Sequence, residues 1–156
     1  MSIFFFDKKL ADKLHKPKRK ETISEILRFG VRQLERFRHP KMLTIVHPIE
    51  ETADALAFAS EPILGSLANL YDYLEDRLDR SVGSVLKNYN LTEFELKYGA
   101  LQIVEALVYL HGTCRVIHRN ICPQSVLINK RGTWKLSGLE FVEKCHEPDP
   151  MVSALL

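Results

Sequence analysis

The stretch VIHRNICPQSVLINKRGTWKLSGLEF, residues 116–141, decides how the rest of the chain is read. An apolar pair, Val116 and Ile117, leads into His118, Arg119 and Asn120, and Pro123 stiffens the turn that follows. Three polar side chains are therefore presented on a loop rather than packed in a core. Behind the loop, SVLIN and TWKLS are joined by KRG, which reads as a hairpin with Gly132 free to take positive φ.

Working outward, the segment LTEFELKYGALQIVEALVYLHG (residues 91–112) precedes the loop. Thr92 and Glu95 have the spacing of a capping box, a stripe runs through Leu96, Ala100, Ile103, Val104, Leu107 and Leu110, and Gly112 offers a stop. GSLANLYDYLEDRLDR, with Leu67, Leu70, Tyr71, Leu74 and Leu78, marks another amphipathic helix ending near Ser81 to Gly83. MLTIVHPIE and ALAFASE, split by ETAD, read as an antiparallel strand pair. Further upstream, TISE offers Thr22 as an N-cap with Glu25 three residues on, and Ile23, Ile26, Leu27, Val31, Leu34 and Phe37 follow at helical spacing before His39 and Pro40. The opening SIFFFD is apolar on both faces and reads as a buried strand. The order of strand, helix, two strands, two helices, loop and hairpin is that of an α+β protein.

Composition sets the outer bounds. With 46% hydrophobic and 27% charged residues over 156 positions, the chain can build one core, and disorder is not expected. The longest apolar runs are far shorter than the roughly 20 residues that cross a bilayer, so no transmembrane segment is expected. Three cysteines without a secretory signal favour reduced thiols and a cytoplasmic setting. Net charge is +2, but residues 1–41 carry 12 Lys and Arg against 5 Asp and Glu, and the remainder carries 10 against 15. The basic cluster HKPKRK (residues 15–20) could touch acidic lipid or nucleic acid; without interleaved aromatics it reads as a solvated connector, and no nucleic-acid partner is expected. Cys114, His118 and Cys122 are spaced by four, which aligns ligands only on a helix, so no metal site is expected in this loop.

HRNICPQS resembles the protein-kinase motif HRDLKPEN, and KLSGLE, ten residues later, resembles that family's KLSDFG. SIFFFDKK falls where the family has its third strand, and LERFRHP where its first large helix ends. The resemblance implies an incomplete protein-kinase-like fold: part of the N-lobe sheet with its large helix, then the first half of the C-lobe. Within residues 1–156 it places the N-lobe part at approximately 1–61 and the C-lobe part at 62–156. The chain reads as a fragment of such a domain, and an exposed apolar edge along SIFFFD is expected to make it associate.

The same resemblance implies what has been lost. Asn120 stands where a kinase has its catalytic aspartate, and a neutral amide cannot take a proton at physiological pH. Cys122 replaces the loop lysine, Ser125 the metal-binding asparagine and Gly138 the metal-binding aspartate. Phe4 aligns with the lysine that grips the phosphates, and Gly30 with the glutamate that holds that lysine. A positioned base is worth about 10² to 10⁴ in rate and one electrostatic stabiliser about 10² to 10³. Starting from about 1 to 100 per second, a loss of ~10⁴ leaves roughly 10⁻² per second or less. These replacements describe a pseudokinase with no intact catalytic residue, no metal ligand and no expected cofactor.

Ser60 and Glu61 resemble the gatekeeper and first hinge residue, and with Ile63 they are the positions through which ATP would be retained weakly. That alternative describes a slow atypical kinase, although Pro62 removes one hinge donor. Phe4 and Phe6 share a strand face and either plug the phosphate end of the cleft or simply fill core. Glu140 and Glu143 are expected to be solvated rather than to rescue magnesium binding. His118 is expected to order the loop backbone. Arg119, which in kinases meets a phosphorylated segment, lacks that segment here.

FRHPKMLTIVHPIEE, ALAFASEPILGSLANL and VIHRNICPQSVLIN together resemble the Scy-like pseudokinase family, in particular its coated-vesicle-associated branch. That resemblance implies a scaffold in clathrin-associated traffic at Golgi, endosome or coated vesicle. Its partners would be clathrin or adaptor components met through regions outside this chain, with peripheral membrane association.

Overall fold

The computed structural model describes residues 1–10, 17–74 and 91–145. Its first layer is a three-stranded antiparallel sheet in the order β1 (Ser2–Asp7), β3 (Ala55–Ser60), β2 (Ile45–Glu51), with helix α1 (Pro17–Arg36) against one face. The pairing of Ser2 with Ser60 and Phe4 with Phe58 fixes the register of β1. A second sheet follows in the order β4 (Ile63–Ser66), β6 (Val126–Asn129), β7 (Trp134–Leu136), and it carries helix α2 (Leu67–Leu74) and helix α3 (Glu93–Val108). β5 (Val116–Ile117) pairs with β8 (Glu143–Lys144) and closes the segment around the loop.

The two sheets are stitched by backbone. The Leu43 amide donates to the Leu136 carbonyl at 2.9 Å and the Leu136 amide to the Lys41 carbonyl at 2.8 Å, so the chain leaving α1 runs beside β7. Leu34, Phe37, Met42 and Leu43 thereby share one core with Leu127, Ile128, Leu136 and Leu139. Burial of apolar side chains on this scale, at about 1.5–3 kcal/mol each, is what holds both layers in one body.

The α+β order, the strand pair of β2 with β3 and the β6–β7 hairpin stand as the sequence implies, with Gly132 at φ 75°. The capping box of α3 is complete: the Glu95 amide donates to Thr92 Oγ1, and the Thr92 amide donates to Glu95 Oε2. Four local expectations are corrected. α1 begins at Pro17, inside the presumed connector, because proline at the first helical position needs no amide partner and overrides the Thr22 start. β1 is covered on one face only, leaving Ile3 and Phe5 68% and 69% exposed on the other. α3 does not stop at Gly112; it passes at Tyr109 into a wider π turn that runs to Thr113. Its buried face is also rotated from the expected stripe. Gly99, Gln102, Ile103 and Ala106 face the core while Val104 is half exposed.

Gly99 explains the rotation. A Cβ there would lie 2.1 Å from Trp134, so the helix backbone rests directly on the indole. Gln102 then accepts the Trp134 amide at 3.0 Å. The expected end of the α2 helix near Ser81 to Gly83, and its Leu78, lie outside the described residues, as does the Thr22 side chain.

Candidate functional site

Where the two sheets face each other across α1, a cavity of about 600 Å³ opens. Phe4, Asn120, Cys122, Ser125 and Gly138 all line it, and Gly30 lies against Glu140, which lines it as well. The six degenerate positions read from the sequence therefore converge on one place.

The loop side is a closed hydrogen-bond network. His118 is 1% exposed; its Nδ1 accepts the Asn120 amide at 3.1 Å, so its Nε2–H donates to the Ser137 carbonyl at 2.8 Å. Burial holds its pKa below the ordinary histidine value, consistent with a neutral tether that orders the loop. Ser125 turns inward, its hydroxyl donating to the Cys122 carbonyl at 2.9 Å and accepting the Cys122 amide at 3.1 Å. The Ser137 amide and hydroxyl both donate to the Ser125 carbonyl. Asn120 reaches Gly138 O and Glu140 Oε2 with long contacts from Nδ2, and the Cys122 thiol donates to its Oδ1 at 3.8 Å. Arg119, in the left-handed region at φ 63°, forms an ion pair with Glu143. A carboxylate within the chain thus takes this guanidinium, and Glu143, exposed as expected, is tied to it.

The clamp side is apolar where a kinase is charged. Phe4 stacks on Phe58 with ring centroids 4.8 Å apart and planes within 1°. Gly30 presents bare backbone to Glu140: a Cβ at position 30 would lie 2.8 Å from Glu140 Cγ. Glu140 thus occupies the space a side chain on this helix would need, contrary to the expectation of a solvated carboxylate. Gly138 sits at φ 76°, and a Cβ there would lie 2.7 Å from Ser125 Cβ. A carboxylate side chain could be placed at neither position 30 nor position 138 without displacing a neighbour.

The hinge positions lie apart from this cavity and are engaged internally. The Ser60 hydroxyl, fully buried, donates to the Glu61 carbonyl at 2.8 Å. The Glu61 carboxylate pairs with Lys135 at 2.9 Å and accepts the Thr44 amide at 3.0 Å. The Ile63 amide donates to Ser2 Oγ at 2.8 Å, and the Ser2 hydroxyl donates to the Ile63 carbonyl at 3.3 Å. Ser2 and Lys135 escaped the sequence reading, in which Glu140 reads only as solvated. Only Glu140 left a signal there: a glycine in a helix interior costs about 1 kcal/mol relative to alanine and hints that something approaches its backbone.

The donor set does not fit a magnesium–triphosphate group. Gly138 has no side chain, the Ser125 hydroxyl is spent on its own loop, and Phe4 presents an aromatic ring in place of any cation. Among the described lining residues the single charge is the negative Glu140, which repels polyphosphate. No helix among the described residues is long and apolar enough to cross a membrane.

Comparison with known proteins agrees with this geometry. The protein kinase domain model matches residues 6–155. SCY1-like protein 2 of mouse (Mus musculus) is 43% identical over 148 residues, 95% of this chain and 16% of that protein, and SCY1-like protein 2 of human (Homo sapiens) matches to the same extent. A Dictyostelium discoideum protein named "Probable inactive serine/threonine-protein kinase scy1" is 31% identical over 143 residues, 91% of this chain and 14% of that protein. The chain spans 16% or less of the length of these relatives. It belongs to the protein kinase domain family, where its similarity lies with the SCY1-like proteins.

Proposed function

We propose that this chain is part of a pseudokinase that serves as an interaction scaffold in clathrin-associated vesicle traffic and does not transfer phosphoryl groups. One observation carries the catalytic half of this reading: the stacked pair of Phe4 and Phe58, with Glu140 packed on Gly30, fills the ground where a cationic clamp and its carboxylate partner would stand. A kinase with a neutral amide in place of its base loses about 10² to 10⁴ in rate from that change alone. The likeness to SCY1-like proteins supports the scaffold half. The division into an N-lobe part (1–61) and a C-lobe part (62–156) belongs to the same proposal. So does a cytoplasmic location at Golgi, endosome or coated vesicle, with clathrin or adaptor proteins as partners.

Two experiments test it. Single-turnover incubation of the full-length protein with labelled ATP and magnesium is expected to yield no transfer; transfer abolished by mutating the cleft would instead establish the slow-kinase alternative. Affinity capture of the tagged full-length protein is expected to enrich clathrin or adaptor subunits over a tag-only control, and their absence would remove the trafficking half.

A further inference from the structure

The cavity that lost its phosphate chemistry has kept a volume of about 600 Å³, within the range of roughly 300–1,000 Å³ typical of small-molecule sites. Its walls are Leu27, Val31 and Leu34 from α1 and Phe4, Leu56 and Phe58 from the sheet. Its floor is polar and carries one charge, that of Glu140. Glu140 contributes a carboxylate and Gly138 a carbonyl, and the Asn120 Nδ2 donates to them only at long range, 3.5 Å from Glu140 Oε2 and 3.4 Å from the Gly138 carbonyl, while its Oδ1 accepts the Cys122 thiol. Glu140 has no lysine or arginine partner among the described residues, and no described lining residue is cationic.

An uncompensated carboxylate at the foot of an apolar cleft selects for a cation, because the low local dielectric strengthens the attraction and water competes less. An ammonium supplies three donors and no acceptor, which suits the Glu140 carboxylate and the Gly138 carbonyl. We propose that this cleft binds a cationic amphiphile, a small molecule with one protonated amine and an apolar body. The amine meets the Glu140 carboxylate and the Gly138 carbonyl, and the body lies between α1 and the Phe4–Phe58 stack. Such a ligand is the charge inverse of a nucleoside triphosphate.

Titration of the full-length protein with decylamine, decanol and decanoate, each below its micelle concentration, separates the charge contribution from the apolar one. Decylamine is expected to bind at least about tenfold more tightly than decanol, the gain of one charge-assisted hydrogen-bond set, and decanoate more weakly than either. Glu140→Gln keeps the side-chain shape against Gly30; it is expected to erase the amine preference while leaving decanol unchanged. Cys122 lines the same cavity, so decylamine is also expected to slow its alkylation by iodoacetamide, read at that residue by mass spectrometry. Equal affinity for the three probes, tighter binding of decanoate, or an amine preference that survives Glu140→Gln would overturn the proposal. Binding of an apolar lysine-containing peptide without binding of decylamine would overturn it in favour of a protein partner.

Discussion

The two sides of the cleft have departed from the kinase pattern in opposite ways. On the loop side, His118, Ser125 and Ser137 form a polar framework whose donors and acceptors are matched, while the groups that the kinase resemblance implies at positions 120, 122, 125 and 138 are replaced. On the clamp side, where the kinase resemblance implies a lysine and its glutamate, Phe4 stacks on Phe58, Gly30 presents bare backbone, and Glu140 from the loop side occupies the space. A hydrogen-bond network is costly to dismantle piece by piece, because each buried partner left alone costs about 1–3 kcal/mol. An ion pair replaced as a whole by packed apolar groups can be neutral or stabilising. That asymmetry accounts for a loop that retains its architecture beside a clamp that does not.

The loop half of this comparison breaks most severely at His118. His118→Ala should destabilise the protein by about 3 kcal/mol, since the Ser137 carbonyl and the Asn120 amide both lose their partner, and chemical denaturation should show it as a lower midpoint. The pH dependence has a definite sign. The folded pKa of His118 lies below the ordinary 6.5, so the unfolded state binds the proton more readily. The contribution is present above 6.5 and is lost as pH falls through the folded value, which His118→Ala should flatten.

Next in size is an attempt to restore the metal ligand. Gly138→Asp meets Ser125 Cβ and a φ of 76°, and should cost about 2–3 kcal/mol. Calorimetry checks this, and a variant of unchanged stability would show that the loop side yields as easily as the clamp side.

The smallest effect lies on the clamp side at its outer edge. Glu51 binds Lys8 at 2.6 Å and Arg28 at 2.5 Å, joining the residue that follows β1 to α1 and β2, and these partners hold its carboxyl down from 4.5 to about 2. The contribution is full above 4.5 and fades as pH falls towards about 2. Because Glu51 and Arg28 are about a third exposed and the buried Lys8 keeps its hydrogen bond to the Thr52 carbonyl, Glu51→Gln should cost only about 0.5–1 kcal/mol at neutral pH, less in high salt.

What the sequence made legible follows the same division. Local signals carried far: the Thr92 and Glu95 box, the KRG turn and the HRN loop are each written in adjacent residues, and each stands where expected. Tertiary approach did not. Gly99 and Gln102 look like interruptions of an apolar stripe until Trp134 is set against them. Glu140 looks solvated until the bare face of Gly30 receives it. The Thr22 box misled because it competes with Pro17, an equally good opening for a helix. Ser2, which ties down both polar groups of Ile63, is invisible without the register of β1 on β3.

The central claim is that this cleft has exchanged triphosphate chemistry for apolar packing with a reversed charge. Isothermal titration of magnesium and ATP into the full-length protein tests it most directly. The account predicts no saturable heat up to millimolar nucleotide. A saturable, magnesium-dependent isotherm that disappears when the cleft is filled by a larger side chain would contradict it.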